Sequence, residues 1–387
     1  MPEHIDRRRF LGLGMTGLAG AMALGLQAPR VAGLAGSSAF ASPAVRTLRI
    51  TDAMVEMVDL QRVYMWTFAD ALGPRQPGPR LSFTEGDDVE LEIENALDQP
   101  HAFAVAGTGI SSGAIAPGDT AHVSFRAPAP GTYIYLDPLA APLNRLMGLH
   151  GVMVVLPKDG PTPYASPTPA VRRLFEDLGS TAHFPGEPWV PERSRIWHFH
   201  TVDPRWNARV EAGDDVRADL VAADYLPRYF LLNGQSGYFA MHDPATAPRG
   251  RIGQPHLIRL LNTGMVAHSP HIHGNHVFAV AQNGVVLPDA RFIDTWSVGP
   301  METVDWLHPF IRPPDIAGPE DRPLREVVAQ ELAYRDDDYG IRQSPLAYPM
   351  HCHNEPSQTA GGGNYPGGLV THWELTGDLD GVDFPTA

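Results

Sequence analysis

From Leu48 onward apolar residues alternate with polar ones in short runs, each broken by Gly, Pro, Asp or Asn. A period of two is that of a strand with one face buried, so Val89–Ile93, His122–Phe125, Thr132–Tyr135 and Val152–Leu156 are predicted as strands. No stretch before Pro157 carries the 3.6-residue period of a long amphipathic helix. Lys158–Pro169 (KDGPTPYASPTP) is proline-rich and predicts a stiff join, here placed over 158–190. A short helix is expected over Val171–Leu178. Strand runs then resume at Arg195–Phe199, Tyr229–Leu232, His256–Leu261, Val277–Ala281 and Val370–Leu375, with turns at Asn233-Gly234 and Asn283-Gly284. Between Pro313 and Pro345 the chain is polar and irregular apart from a helix-like patch over Leu324–Leu332. The economical architecture is all-β: two Greek-key sandwiches, at 45–157 and 191–380.

Composition narrows the classes. The chain has 387 residues, too many for one ordinary β domain, and its 38 Gly and 38 Pro show no triplet repeat, which excludes collagen. A formal charge of -15, with Lys158 the single lysine, makes nucleic acid a poor partner. Cys352 is the one cysteine, so no intramolecular disulfide forms. At the start, Arg7-Arg8-Arg9-Phe10-Leu11, an apolar Gly/Ala-rich run over Leu13–Leu26 and Ala39-Phe40-Ala41 follow the order of an export signal, removed after Ala41. Its Arg-Arg-x-Phe-Leu core resembles the twin-arginine signal, which predicts a periplasmic or secreted protein exported folded. No second apolar run has membrane-spanning length.

The 17 histidines carry the chemistry. Side chains at i and i+2 of a strand share a face, so His271 and His273 can converge, as can His351 and His353, while Cys352 between them faces the other way. If the two strands are neighbours, four imidazoles meet on one side of a sheet. Imidazole with one thiolate suits copper or zinc, and His268 can join either group. His198 and His200 also share a strand face. With no second cluster near them in sequence, they are read as structural, as are His101, His150, His276 and His372.

His268-Ser269-Pro270-His271-Ile272-His273-Gly274 resembles the His-x-x-His-x-His-Gly motif of the multicopper oxidase family of cupredoxin-fold proteins, and His351-Cys352-His353 resembles its His-Cys-His motif. Gly131–Tyr135 and Gly148–Val155 resemble strands of the family's first domain. The resemblance implies His268 and Cys352 at a blue-copper centre, and His271, His273, His351 and His353 at a trinuclear cluster, with electrons passing from a small-molecule or metal-ion reductant to oxygen. The family's other two histidine motifs fall at Ala104-Val105-Ala106-Gly107 and Leu136-Asp137-Pro138, which hold no imidazole. Its second blue-copper histidine and axial methionine fall at Ser357 and Gly362, which leaves His372 as a substitute ligand if the loop rearranges. Glu355 is read either as a carboxylate that orients a ligand or carries a proton, or as a solvated loop residue. The expectation is therefore an exported copper oxidoreductase with a reduced copper complement. A non-catalytic envelope binding protein and a copper storage or delivery protein are the alternatives. Two-domain relatives often form trimers, which implies a homo-oligomer here.

Overall fold

The computed structural model describes residues 47–313 and 346–384. The expected export signal and the patch at Leu324–Leu332 lie outside the described residues.

The first sandwich is built from β1 (Thr47–Glu56), β2 (Arg62–Ala69), β3 (Leu81–Thr84), β4 (Asp88–Asn95), β5 (His101–Val105), β6 (Ser111–Ile115), β7 (Thr120–Arg126), β8 (Gly131–Leu136) and β9 (His150–Leu156). They form two sheets, ordered β2-β1-β4-β7 and β3-β9-β8-β5-β6. The predicted alternation shows in β4, where Val89, Leu91 and Ile93 turn inward and meet Phe68, Phe103, Tyr135 and Val155 in one core.

The second sandwich uses β10 (Ser194–Val202), β11 (Tyr229–Leu232), β12 (Arg249–Arg251), β13 (His256–Asn262), β14 (Pro270–Ile272), β15 (Val277–Gln282), β16 (Val285–Ile293), β17 (Thr303–His308), β18 (Ala347–Cys352) and β19 (Val370–Gly377). Its sheets are ordered β11-β10-β13-β17-β15-β16 and β12-β19-β18-β14. Trp197, Trp306 and Trp373 are fully buried between them with Phe199, Met350 and Cys352. Asn283 and Gly284 both have positive φ, at 51° and 74°, the backbone of a tight turn whose twist matches the β15–β16 hairpin it closes.

Helices are short: α1 (Leu143–Leu146), α2 (Pro169–Asp177), α3 (Pro204–Glu211), α4 (Ala218–Ala223) and α5 (Gly237–His242). The expected helix after the proline-rich stretch is α2, which begins two residues earlier than the apolar pattern because Pro169 occupies its first turn, where the missing N–H costs nothing. The stretch is no free linker. Tyr164, Val171, Leu174, Phe175 and Trp189 are buried against Leu257, Val280 and Leu307 of the second sandwich. Helix α3 went unread in the sequence, although Asp203-Pro204 signals it: the Asp203 carboxylate accepts from the Arg205 N–H at 3.2 Å.

The sandwiches meet along β8 and β9 on one side and β10, β13 and β17 on the other. Ile134, Val152 and Val154 pack on Leu261, and around them lies a buried polar knot. The Asp305 carboxylate accepts from Thr132 Oγ1 and Tyr164 Oη, both at 2.7 Å, and from Arg259 at 3.1 Å. Each of these residues is nine-tenths buried or more, so the charge of Asp305 is met by partners rather than water.

Candidate metal centre

Strands β14 and β18 are antiparallel neighbours, with Pro270 opposite Cys352, His271 opposite His351 and Ile272 opposite Met350. This register places the two His-x-His pairs on one face. Ile272, Met350 and Cys352 turn into the core on the other. On the outward face the His271 ring centroid lies 4.6 Å from His273, 5.6 Å from His351 and 4.8 Å from His353. The rings of His351 and His353 stack at 5.1 Å. Ligating nitrogens of His271, His351 and His353 all lie within 4.8 Å of one another, the spacing of a group that a single ion can draw together.

Neighbouring groups orient these rings. The carbonyl of Asp294 lies 3.2 Å from His271 Nδ1, and Thr295 Oγ1 lies 2.8 Å from the same atom. Because a carbonyl only accepts, the proton sits on Nδ1, and the Nε2 lone pair is left to face the cluster. His273 Nε2 and His351 Nε2 lie 3.0 Å apart and share one proton. Burial, reinforced by the neighbouring imidazoles, holds His273 and His351 below the ordinary imidazole range. Both are thereby kept neutral, as ligands must be. At the end of the His-x-His run Gly274 has φ +85°, and a Cβ there would meet the Tyr348 ring at 2.6 Å, so only glycine lets the chain turn away behind His273.

Across the sheet, Cys352 Sγ lies 3.7 Å from His268 Nδ1 and accepts from the N–H groups of Ser269 at 3.2 Å and Asn354 at 3.4 Å. His268 is fully buried beside the rings of Phe199 and Phe230. Burial pushes the thiol up and His268 down to about 4, so without an ion this pair is a neutral thiol beside a neutral imidazole. His268 thus joins the thiol and not the four-histidine face. Ser357 is buried but donates to the Asn354 carbonyl at 2.7 Å, and Gly362 lies against Arg228. His372 projects from the outward face of β19, opposite to Cys352, so it cannot swing in as the missing imidazole. Glu355 is exposed and accepts from Gln358 at 3.1 Å, and its charge acts on His351. The donor set therefore fits a metal at the outward face, while the thiol side offers one imidazole and one sulfur.

Three histidines read as structural in the sequence also come together. His150 at the start of β9 lies 4.8 Å from His198 and 4.2 Å from His200, ring centre to ring centre, at the seam of the sandwiches. His198 Nε2 and His200 Nδ1 both bond Thr263 Oγ1, at 2.8 and 3.1 Å. Burial drives His198 and His200 down to about 3, and His150 well below its ordinary range. The partner of the His198/His200 face was hidden in the sequence because it comes from the other half of the chain.

A double β-sandwich with histidines converging on one sheet face is the class of protein that the fold and site define. Residues 50–160 match the multicopper oxidase family model. The chain is 26% identical to a copper-containing nitrite reductase of Pseudomonas chlororaphis over 61% of this chain and 63% of that one. It is 34% identical to that of Alcaligenes xylosoxydans over 26% and 33%. It spans less than two thirds of the length of these relatives. A blue copper oxidase from Nitrosomonas europaea shares the fold with a TM-score of 0.60 and 20% identity over 85% of each chain. Residues 50–160 therefore carry the likeness to the multicopper oxidase family, and the chain shares the all-β fold of a blue copper oxidase.

Proposed function

We propose that the protein is an exported copper-dependent oxidoreductase with a reduced copper complement, holding one ion, or at most two, at the face formed by His271, His273, His351 and His353. The observation that carries this reading is the convergence of the His271, His351 and His353 nitrogens within 4.8 Å on an outward sheet face. Bound copper would supply one-electron chemistry and an open position for a small acceptor. The chain's own part is to hold His271 by the Asp294 carbonyl so that Nε2 faces the cluster, and to keep His273 and His351 neutral. Ala104, Ala106, Leu136 and Pro138 offer no further imidazole, which favours a small copper count over a trinuclear cluster. His273 and His353 are exposed, which suits a face covered by a second copy in an oligomer. Relatives named nitrite reductase and laccase make nitrite and phenols the first compounds to try.

Copper measured by mass spectrometry on protein purified from copper-supplemented cells is expected at one to two ions per chain, with turnover of nitrite or a phenol that vanishes in H271A/H351A. Less than about half an ion per chain ends the reading, because three convergent imidazoles bind copper tightly. Copper held without turnover would instead support storage or delivery, a reading the His268–Cys352 pair also favours through its soft sulfur donor.

A further inference from the structure

The outward face of β12-β19-β18-β14 does not end at the four-histidine cluster. Pro349 pairs with His372, and two residues on along β18 His351 pairs with Val370, so His372 and His351 lie on the same face. His242 closes α5 beside this face, its ring centroid 6.3 Å from that of His372. The two rings look onto a groove of about 490 Å³ that Met241, Pro349 and Thr371 also line. His242 Nδ1 lies 2.8 Å from the Tyr238 carbonyl, which only accepts, so the Nδ1 proton is committed and Nε2 keeps its lone pair. Stacking on Tyr238, at 4.1 Å and 28°, fixes the plane of the ring. Glu374, the next outward residue of β19, and Arg249 also line the groove, where they pair at 2.7 Å and offset each other's charge, so the neutral donors are two imidazoles and a thioether.

We propose that His242 and His372, with Met241 as a third donor, form a second metal station that takes a cuprous ion. A nitrogen ligand lies about 2 Å from its ion and a little over 1 Å from its own ring centre, so two rings facing one ion along a line stand about 6.4 Å apart. The observed 6.3 Å is within the span that one ion can bridge, and Met241 on the same groove supplies the third donor. Thioether and imidazole together select monovalent copper over hard cations. The station stands on its own residues and does not depend on turnover at the four-histidine face.

The test is an anaerobic titration of the full chain with cuprous ion against a chromophoric cuprous chelator. H271A/H351A is expected to retain one equivalent that disappears when H242A/H372A is added. H242A/H372A alone loses that equivalent and keeps the cluster's. M241A weakens the same equivalent about tenfold, the loss of a single donor. Near-ultraviolet circular dichroism checks the fold, and the single change His242→Gln at an exposed helix end serves if the double variant does not fold. Equal equivalents and affinities, within twofold, in the wild type and in whichever folded His242 variant is used would overturn the station. Loss of nitrite or phenol turnover leaves this count untouched, so failure here and failure of the oxidoreductase reading are separate results.

Discussion

The two sandwiches contain the same four-strand arrangement with different side chains at matching positions. In the first, β3-β9-β8-β5 run in the order and sense that β12-β19-β18-β14 run in the second: a parallel pair followed by two antiparallel pairs. Where the second has His271 opposite His351, the first has Ala104 opposite Leu136. One residue further along, Cys352 corresponds to Asp137, and His268 to His101. In the second sandwich the slot holds a thiol 3.7 Å from an imidazole. In the first, the Asp137 carboxylate lies 2.7 Å from His101 Nδ1 and accepts from Asn144 Nδ2 at 2.8 Å, all three residues being buried. One backbone slot can thus be filled by a hydrogen-bonded acid, imidazole and amide that complete one another, or by a thiol and an imidazole in looser contact. In the first, the carboxylate is met by the imidazole and the amide together, with no sulfur in the slot.

The sharpest break of this comparison is in metal content. H271A/H351A is expected to lose the outward-face copper entirely by mass spectrometry, whereas Asp137→Ala leaves copper per folded chain unchanged. Acid comes next. His198, His200 and His308, each lowered to about 3 by burial, all belong to the second sandwich. They are neutral when folded and titrate near 6.5 when unfolded, so the unfolded chain binds more protons below pH 6.5. Stability is complete above that pH and falls, by about 1.4 kcal/mol per pH unit for each imidazole, as pH drops toward 3. Denaturant melts across this window should show the slope, and a flat profile would show that these rings are not sequestered. Asp137→Ala itself should cost about 3 kcal/mol, since it strands His101 and Asn144 in the core of the first sandwich. The smallest effect is Thr263→Val, which removes the hydroxyl shared by His198 and His200 and should cost about 1 kcal/mol in the same melts.

Much of the fold is legible in the sequence because strand periodicity is a local signal: the runs at Val89, Thr132, Arg195 and Val370 all lie in strands. The two histidine motifs are equally local. What the sequence withholds is lateral pairing, a property of residues distant in the chain. The facing of His271 and His351, the meeting of His150 with His198 and His200, and the nearness of His242 to His372 are set by sheet order and by packing across the seam. The likeness between the sandwiches is hidden for the same reason, since it resides in strand order and register and not in shared residues. The likeness to the multicopper oxidase family falls on residues 50–160, where Ala104, Ala106, Leu136 and Pro138 stand at the positions of two of its histidine motifs.

The knot at Asp305 ties together segments that are far apart in the chain: Thr132 from one sandwich, Arg259 from the other, and Tyr164 from the stretch that joins them. Pulling the halves apart would expose a carboxylate and a guanidinium that the closed seam keeps dry. Opening the seam therefore carries a desolvation cost that the packing of Ile134, Val152 and Val154 on Leu261 alone would not impose.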